Sequence, residues 1–177
     1  MKRIYALGLV TIFCLVIAAA TSAQMNKQMT QHNPDSAAGA GGSMAAQKDR
    51  CAVCGMPISM FPEWTARIEF KDGTSATFDG PKDMFKYYLD MKKYNPQKSQ
   101  ADVMAIFVKD YYSKESIGAL DAFYVIWSDV LGPMGHQPIP FEKEADAKKF
   151  LKEHKGKQIV RFKDVNLKLI TSLDNPP

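Results

Sequence analysis

The stretch Cys51-Ala52-Val53-Cys54-Gly55-Met56-Pro57 constrains this chain more than any other. Gly55 has no Cβ, so the backbone can turn there with positive φ. Pro57 lacks an N–H and stops a helix from running on past the motif. The spacing predicts a tight, exposed loop that gathers two thiols and the thioether of Met56. Cys51 and Cys54 are too close together to staple a fold, because a bridge between them would close only a tiny loop. The third cysteine, Cys14, lies in an apolar N-terminal run. The fold must therefore come from hydrophobic patterning, which leaves the sulfur atoms of the motif for chemistry or for a metal.

Residues 1–23 have the pattern of a secretory signal. Lys2 and Arg3 make the positive start, Ile4 to Ala20 is apolar and uncharged, and Thr21 and Ala23 are small residues before a cut after Ala23. A cut after Ala20 is the alternative, and an uncleaved anchor has the same outline. Ile12-Phe13 before Cys14 is a poor setting for lipid attachment. The expected location is the periplasm, either soluble after cleavage or held by the uncleaved signal. Residues 24–50 read as a linker rich in Gln, Asn, Ser, Ala and Gly. Met25, Met29 and His32 within it could touch Cu(I) transiently, but a disordered polar tail that happens to hold them is the preferred reading.

The 177 residues allow one domain or two small ones, and 46% hydrophobic with 24% charged residues is a globular composition. Lys2 and Arg3 supply two of the four net positive charges. The remainder is too weakly basic for nucleic acid, and Lys92-Lys93 and Lys148-Lys149 fit solvated helix faces.

Two units follow the linker, expected at residues 51–113 and 114–177. In the first, Thr65 to Phe70 alternates like a strand, Lys71-Asp72-Gly73 supplies a hairpin turn, and Thr74 to Phe78 returns. Asp79-Gly80-Pro81 opens a helix with an apolar stripe of Met84, Tyr87, Tyr88 and Met91, where both methionines read as core. Asn95 to Ser99 is a loop, and Val103 to Val108 is the third strand. In the second unit, Tyr111 to Leu120 is an irregular bridge and Ala122 to Trp127 is strongly β-prone. Ser128 to His136 is a loop that Pro138 and Pro140 continue. Glu142 to His154 is helical, with Ala145, Phe150 and Leu151 as core positions, and Lys155-Gly156 closes it. Gln158 to Phe162 and Asn166 to Ile170 read as strands. Phe78, Asp83 and Tyr87 share their offsets with Phe141, Asp146 and Phe150, a weak internal repeat. The expected class is α+β, two tandem ββαβ units packing helices on small antiparallel or mixed sheets.

The Cys-x-x-Cys pair has no second pair for a zinc ribbon and no His after Cys54 for haem attachment. A polar linker precedes it where a thioredoxin-like site would have a strand. A sulfur-rich metal loop remains. Met134 and His136, two apart in an extended loop, project to one side and make the natural second half of a site. Thiolate, thioether and imidazole together suit Cu(I), although His136 fits an exposed loop histidine as well. The metal candidates are Cys51, Cys54, Met56, Met134 and His136. Asp79, Asp83 and Asp129 read as turn, helix-start and loop residues, and Trp64 and Trp127 as core. No nucleophile–base motif or phosphate loop is present, so no enzyme is expected.

The combination of Cys51-x-x-Cys54-Gly55-Met56, Phe78-Asp79-Gly80, Met84, Tyr87, Ser128-Asp129-Val130-x-Gly132-Pro133-Met134-Gly135-His136, Pro140-Phe141, Ala147 and Phe150 resembles the NosL family, over about residues 50 to 162. The resemblance implies an exported copper-binding accessory protein for assembly of the copper centres of nitrous oxide reductase, and so a role in denitrification. It also implies a pair of ββαβ units related to an organomercurial lyase, with transient membrane-associated copper-assembly partners. Cys51, Cys54, Met56, Met134 and His136 would form or border a Cu(I) site. Many family members are lipoproteins, and Cys14 departs from that pattern. The competing functions are a protein-binding scaffold for assembly of a periplasmic redox enzyme and a Cys-x-x-Cys thiol–disulfide oxidoreductase.

Overall fold

The computed structural model describes residues 49–175. The expectations for the signal segment and for Met25, Met29 and His32 lie outside those residues. Among the described residues no helix is long and apolar enough to cross a membrane.

β1 (Ala66–Phe70) and β2 (Ser75–Phe78) form the expected hairpin. Its turn rests on Gly73 at φ 81°, where Asp-Gly takes the left-handed conformation cheaply. α1 (Pro81–Leu89) follows, with Gly80 at the cap and Pro81 in the first turn. A single-turn helix, α2 (Met91–Tyr94), continues from it. β3 (Val103–Lys109) returns beside β1. Met84 and Met91 are buried, as their spacing required.

The bridge after β3 contains a strand the sequence did not show, β4 (Ser116–Gly118), which pairs with β3. Three residues carry too little alternation to be read. β5 (Phe123–Ile126) ends at Trp127, whose φ of 55° breaks the extended run. The expected loop then folds into a small hairpin of β6 (Leu131–Gly132) and β7 (Gly135–His136). Pro140 concealed β8 (Ile139–Phe141), which is tolerable because β8 lies at a sheet edge. α3 (Glu144–Glu153) buries Ala147 and Phe150, whereas Ala145 points to solvent and is not a core residue. Lys155 at φ 52° and the Gly156 N–H bond to the Leu151 carbonyl close the helix. β9 (Gln158–Arg161) is the last strand.

Asn166 to Ile170 is not a strand. Leu167–Ser172 forms a helix, α4, because the Asn166 side chain caps it by accepting from the Leu169 N–H at 3.0 Å. Apolar residues at 167, 169, 170 and 173 fit both periods, and the cap decides between them.

The class is α+β, and both main sheets are wholly antiparallel. Strand order is β2-β1-β3-β4 in the first and β8-β5-β9 in the second. In each ββαβ unit the first strand is central and the strands before and after the helix flank it. β5 is the shared wall: Tyr124 and Ile126 face the core beside Phe78 and Phe85, while Val125 faces Phe141 and Phe150. That alternation joins the two units through a common interior.

Candidate metal centre

The Cys loop folds on itself and then onto the first sheet. The Cys51 N–H donates to the Met56 carbonyl at 2.8 Å, and the Gly55 N–H donates to the Cys51 carbonyl at 2.9 Å. Gly55 sits at φ 75°, the conformation its missing Cβ permits. A bridge between Arg50 and Pro57 closes the base. The Ala52 N–H donates to the Thr77 carbonyl, docking the loop on the free edge of β2.

Docking there places the thiols beside the start of α1. The Cys51 thiol donates to Asp83 Oδ2 and the Cys54 thiol to Asp79 Oδ2, each at 3.4 Å. One donor atom from each of these four side chains lies within 4.8 Å of the other three. Cys51, Asp79 and Asp83 are buried, and Cys54 is exposed. The cluster thus has a closed floor and one open side.

The carboxylates are the part the sequence reading missed. Asp79 and Asp83 do flank the helix start, but they are 0% and 1% exposed and face the thiols rather than water. Asp79 Oδ1 and Asp83 Oδ1 are buried without hydrogen-bond partners among the described residues. Lys86 Nζ stands 3.8 Å from Asp83 Oδ1, which is attractive but beyond hydrogen-bond reach. Burial pushes the Asp83 carboxyl above the usual carboxylate range, against the bonds it accepts from the thiols, and the Asp79 charge adds to the rise. Burial pushes both thiols up as well, Cys51 well above the ordinary cysteine range. Two crowded carboxylates and two protonated thiols form a site that a cation would relieve. The available signal was the spacing from Asp79 to Asp83, one helical turn at a helix start, opposite a cysteine pair.

Met56 lends its carbonyl to the loop, and its half-buried side chain packs against the main core. Met134 is a corner of the β6–β7 hairpin, not part of an extended run, because Pro133 and Gly135 (φ 79°) turn the chain around it. The rule that positions i and i+2 face one way therefore does not apply to Met134 and His136. The Met134 side chain is partly exposed, and its carbonyl accepts from Lys82 Nζ. His136 Nδ1 lies 3.1 Å from the Ser128 carbonyl. A carbonyl only accepts, so Nδ1 carries the proton and Nε2 is the nitrogen free to bind a metal.

Comparisons with known proteins bear on the family and the fold. The copper-binding lipoprotein NosL of Stutzerimonas stutzeri is 25% identical over 178 aligned positions, which span 96% of this chain and 86% of that protein. The crystal structure of the copper chaperone NosL from Shewanella denitrificans shares the fold, with a TM-score of 0.59 and 24% identity over 69% of this chain and 92% of that one. A solution structure of the apo-NosL protein from Achromobacter cycloclastes matches at a TM-score of 0.42 and 23% identity, over 59% and 87% of the two chains. The NosL family model matches residues 43–170, most of the described fold and the whole cysteine–carboxylate cluster, and this chain belongs to the NosL family.

Proposed function

We propose that this protein is an exported Cu(I) chaperone that takes up copper at Cys51 and Cys54 and passes it to a copper enzyme, nitrous oxide reductase. The observation that carries the reading is the pairing of two free thiols with two buried carboxylates at an open-sided loop. Thiolates are soft ligands and suit Cu(I). Each must lose a proton to bind, and each thiol already donates to a carboxylate. Asp79 and Asp83 therefore relay those protons to solvent and, as carboxylates, offset the charge of the arriving ion.

Membership of the family supports copper as the cargo, and the lipoprotein relative supports export. The client enzyme rests on the resemblance alone. Met56 and Met134 are the thioethers proposed to complete or hand on the ion, with His136 Nε2 as a further donor. Exchange of ligands moves the metal and no covalent chemistry is required. The exposed Cys54 is the atom an incoming client ligand would meet first. A buried Cys51 with a raised thiol pKa is the reverse of an activated nucleophile, which weighs against a dithiol oxidoreductase.

The test is an anaerobic Cu(I) titration of the reduced mature protein against a chromophoric chelator, with X-ray absorption at the copper edge. One Cu(I) with sulfur scattering is expected. The double variant Cys51→Ser, Cys54→Ser should lose affinity by about a thousandfold or more, roughly 4 kcal/mol. Full affinity in that variant would remove the proposal.

A further inference from the structure

Gln137 lies just past the β6–β7 hairpin, in the second ββαβ unit, yet it is 1% exposed and reaches the first. Its Oε1 accepts from the Lys82 N–H at 2.9 Å. Pro81 has no N–H, so Lys82 provides the first amide of α1 that needs an acceptor. No side chain next to the helix start caps α1; Gly80 stands at that position and offers none. Two glycines clear the slot. A Cβ on Gly80 would lie 3.0 Å from Gln137 Oε1, and one on Gly132 would lie 2.6 Å from Gln137 Cγ. The same hairpin is pinned a second time by Lys82 Nζ, which is bonded to the Met134 carbonyl and, at 2.8 Å, to Asp174 Oδ1.

We infer that Gln137 is a positioning residue for the metal centre. It caps α1 from the other unit and so fixes the turn that carries Asp79 and Asp83 against the thiols. The wide separation in sequence between residues 82 and 137 makes the first unit's site depend on the second unit's hairpin. Gly80 and Gly132 are the two residues whose lack of a side chain makes this contact possible. The inference about copper rests on the Cu(I) reading above, whereas the cap stands on geometry alone.

The experiment uses Gln137→Met, which keeps the volume and loses the acceptor, and Gln137→Glu, which keeps an acceptor. Amide exchange at Lys82 is read by NMR in the metal-free protein, and Cu(I) affinity by chelator competition. Gln137→Met should exchange the Lys82 amide at least about tenfold faster and weaken Cu(I) binding by about tenfold. Gln137→Glu should restore both to within about threefold. Unchanged Lys82 exchange in Gln137→Met would overturn the cap. Equal losses of affinity in both variants, each melting like the parent protein, would overturn the positioning role. A parent protein that takes up no Cu(I) would sink the proposed function, and the exchange data would still decide the cap.

Discussion

The two ββαβ units carry the same frame and opposite equipment. Each places its first strand in the centre of a sheet. Each ends its second strand in a buried Phe that touches an aromatic ring two turns into the helix: Phe78 meets Tyr87 with centroids 5.2 Å apart, and Phe141 meets Phe150 at 5.0 Å. Between those rings stand Asp83 in one unit and Asp146 in the other. Asp83 is buried against the thiols, while Asp146 is half-buried with no cysteine opposite. The first unit joins its two leading strands by a tight turn and lays the Cys loop along the free edge of β2. The second inserts the β6–β7 hairpin at the equivalent connection, and that hairpin buttresses α1. Packing is common to both halves, and the function comes from what is attached to each.

The largest effect should come from breaking the shared frame. Phe78→Ala and Phe150→Ala each remove a fully buried ring and should each cost about 3–5 kcal/mol of unfolding free energy in urea titrations. Only Phe78→Ala, one residue before Asp79, should also weaken Cu(I) binding. Equal copper losses in both variants would mean that the site depends on overall stability and not on its own unit.

The paired aspartates sharpen the contrast. Burial raises the Asp83 carboxyl, so the folded state holds that proton more tightly than the unfolded state does. Its contribution to stability is present below the unfolded carboxyl range and is lost as pH rises through the folded value. Asp83→Asn should remove this dependence and leave the metal-free protein more stable at neutral pH by on the order of 1 kcal/mol. Copper affinity should fall in the same variant. Asp146→Asn should change neither. Thermal melts from pH 4 to 8, with and without Cu(I), check both.

Proton release gives a third handle. Both thiols are raised by burial, so Cu(I) uptake displaces protons and weakens as pH falls. The logarithm of the affinity should rise by about two per pH unit near neutrality, read by competition titration. A slope near zero would mean that the thiols are not the ligands.

The smallest effect concerns the turns. Gly73 and Gly135 hold φ values of 81° and 79° with open space where a Cβ would go. Alanine at either should cost about 1 kcal/mol of stability through backbone strain. Gly135→Ala alone should also loosen the Lys82 amide, since only that turn is tied to α1.

Much of this protein is legible in one dimension. The Lys71–Gly73 turn, the Pro81 helix start, the β-prone run before Trp127 and the Lys155-Gly156 stop depend on local backbone chemistry, and the sequence alone determined them. So did the Cys loop, because Gly55 and Pro57 act on their neighbours. Other features depended on partners far along the chain. β8 is a strand because it pairs with β5 at the edge of the sheet, where Pro140 is tolerated, and Asn166 caps a helix whose apolar pattern also fits a strand. Asp79 and Asp83 look like ordinary helix-start residues until Ala52 docks the Cys loop on β2 and turns both thiols toward them. Gln137 has no local signal at all. Its role exists because two glycines, Gly80 and Gly132, meet around it, and only close packing of the two units could bring them there.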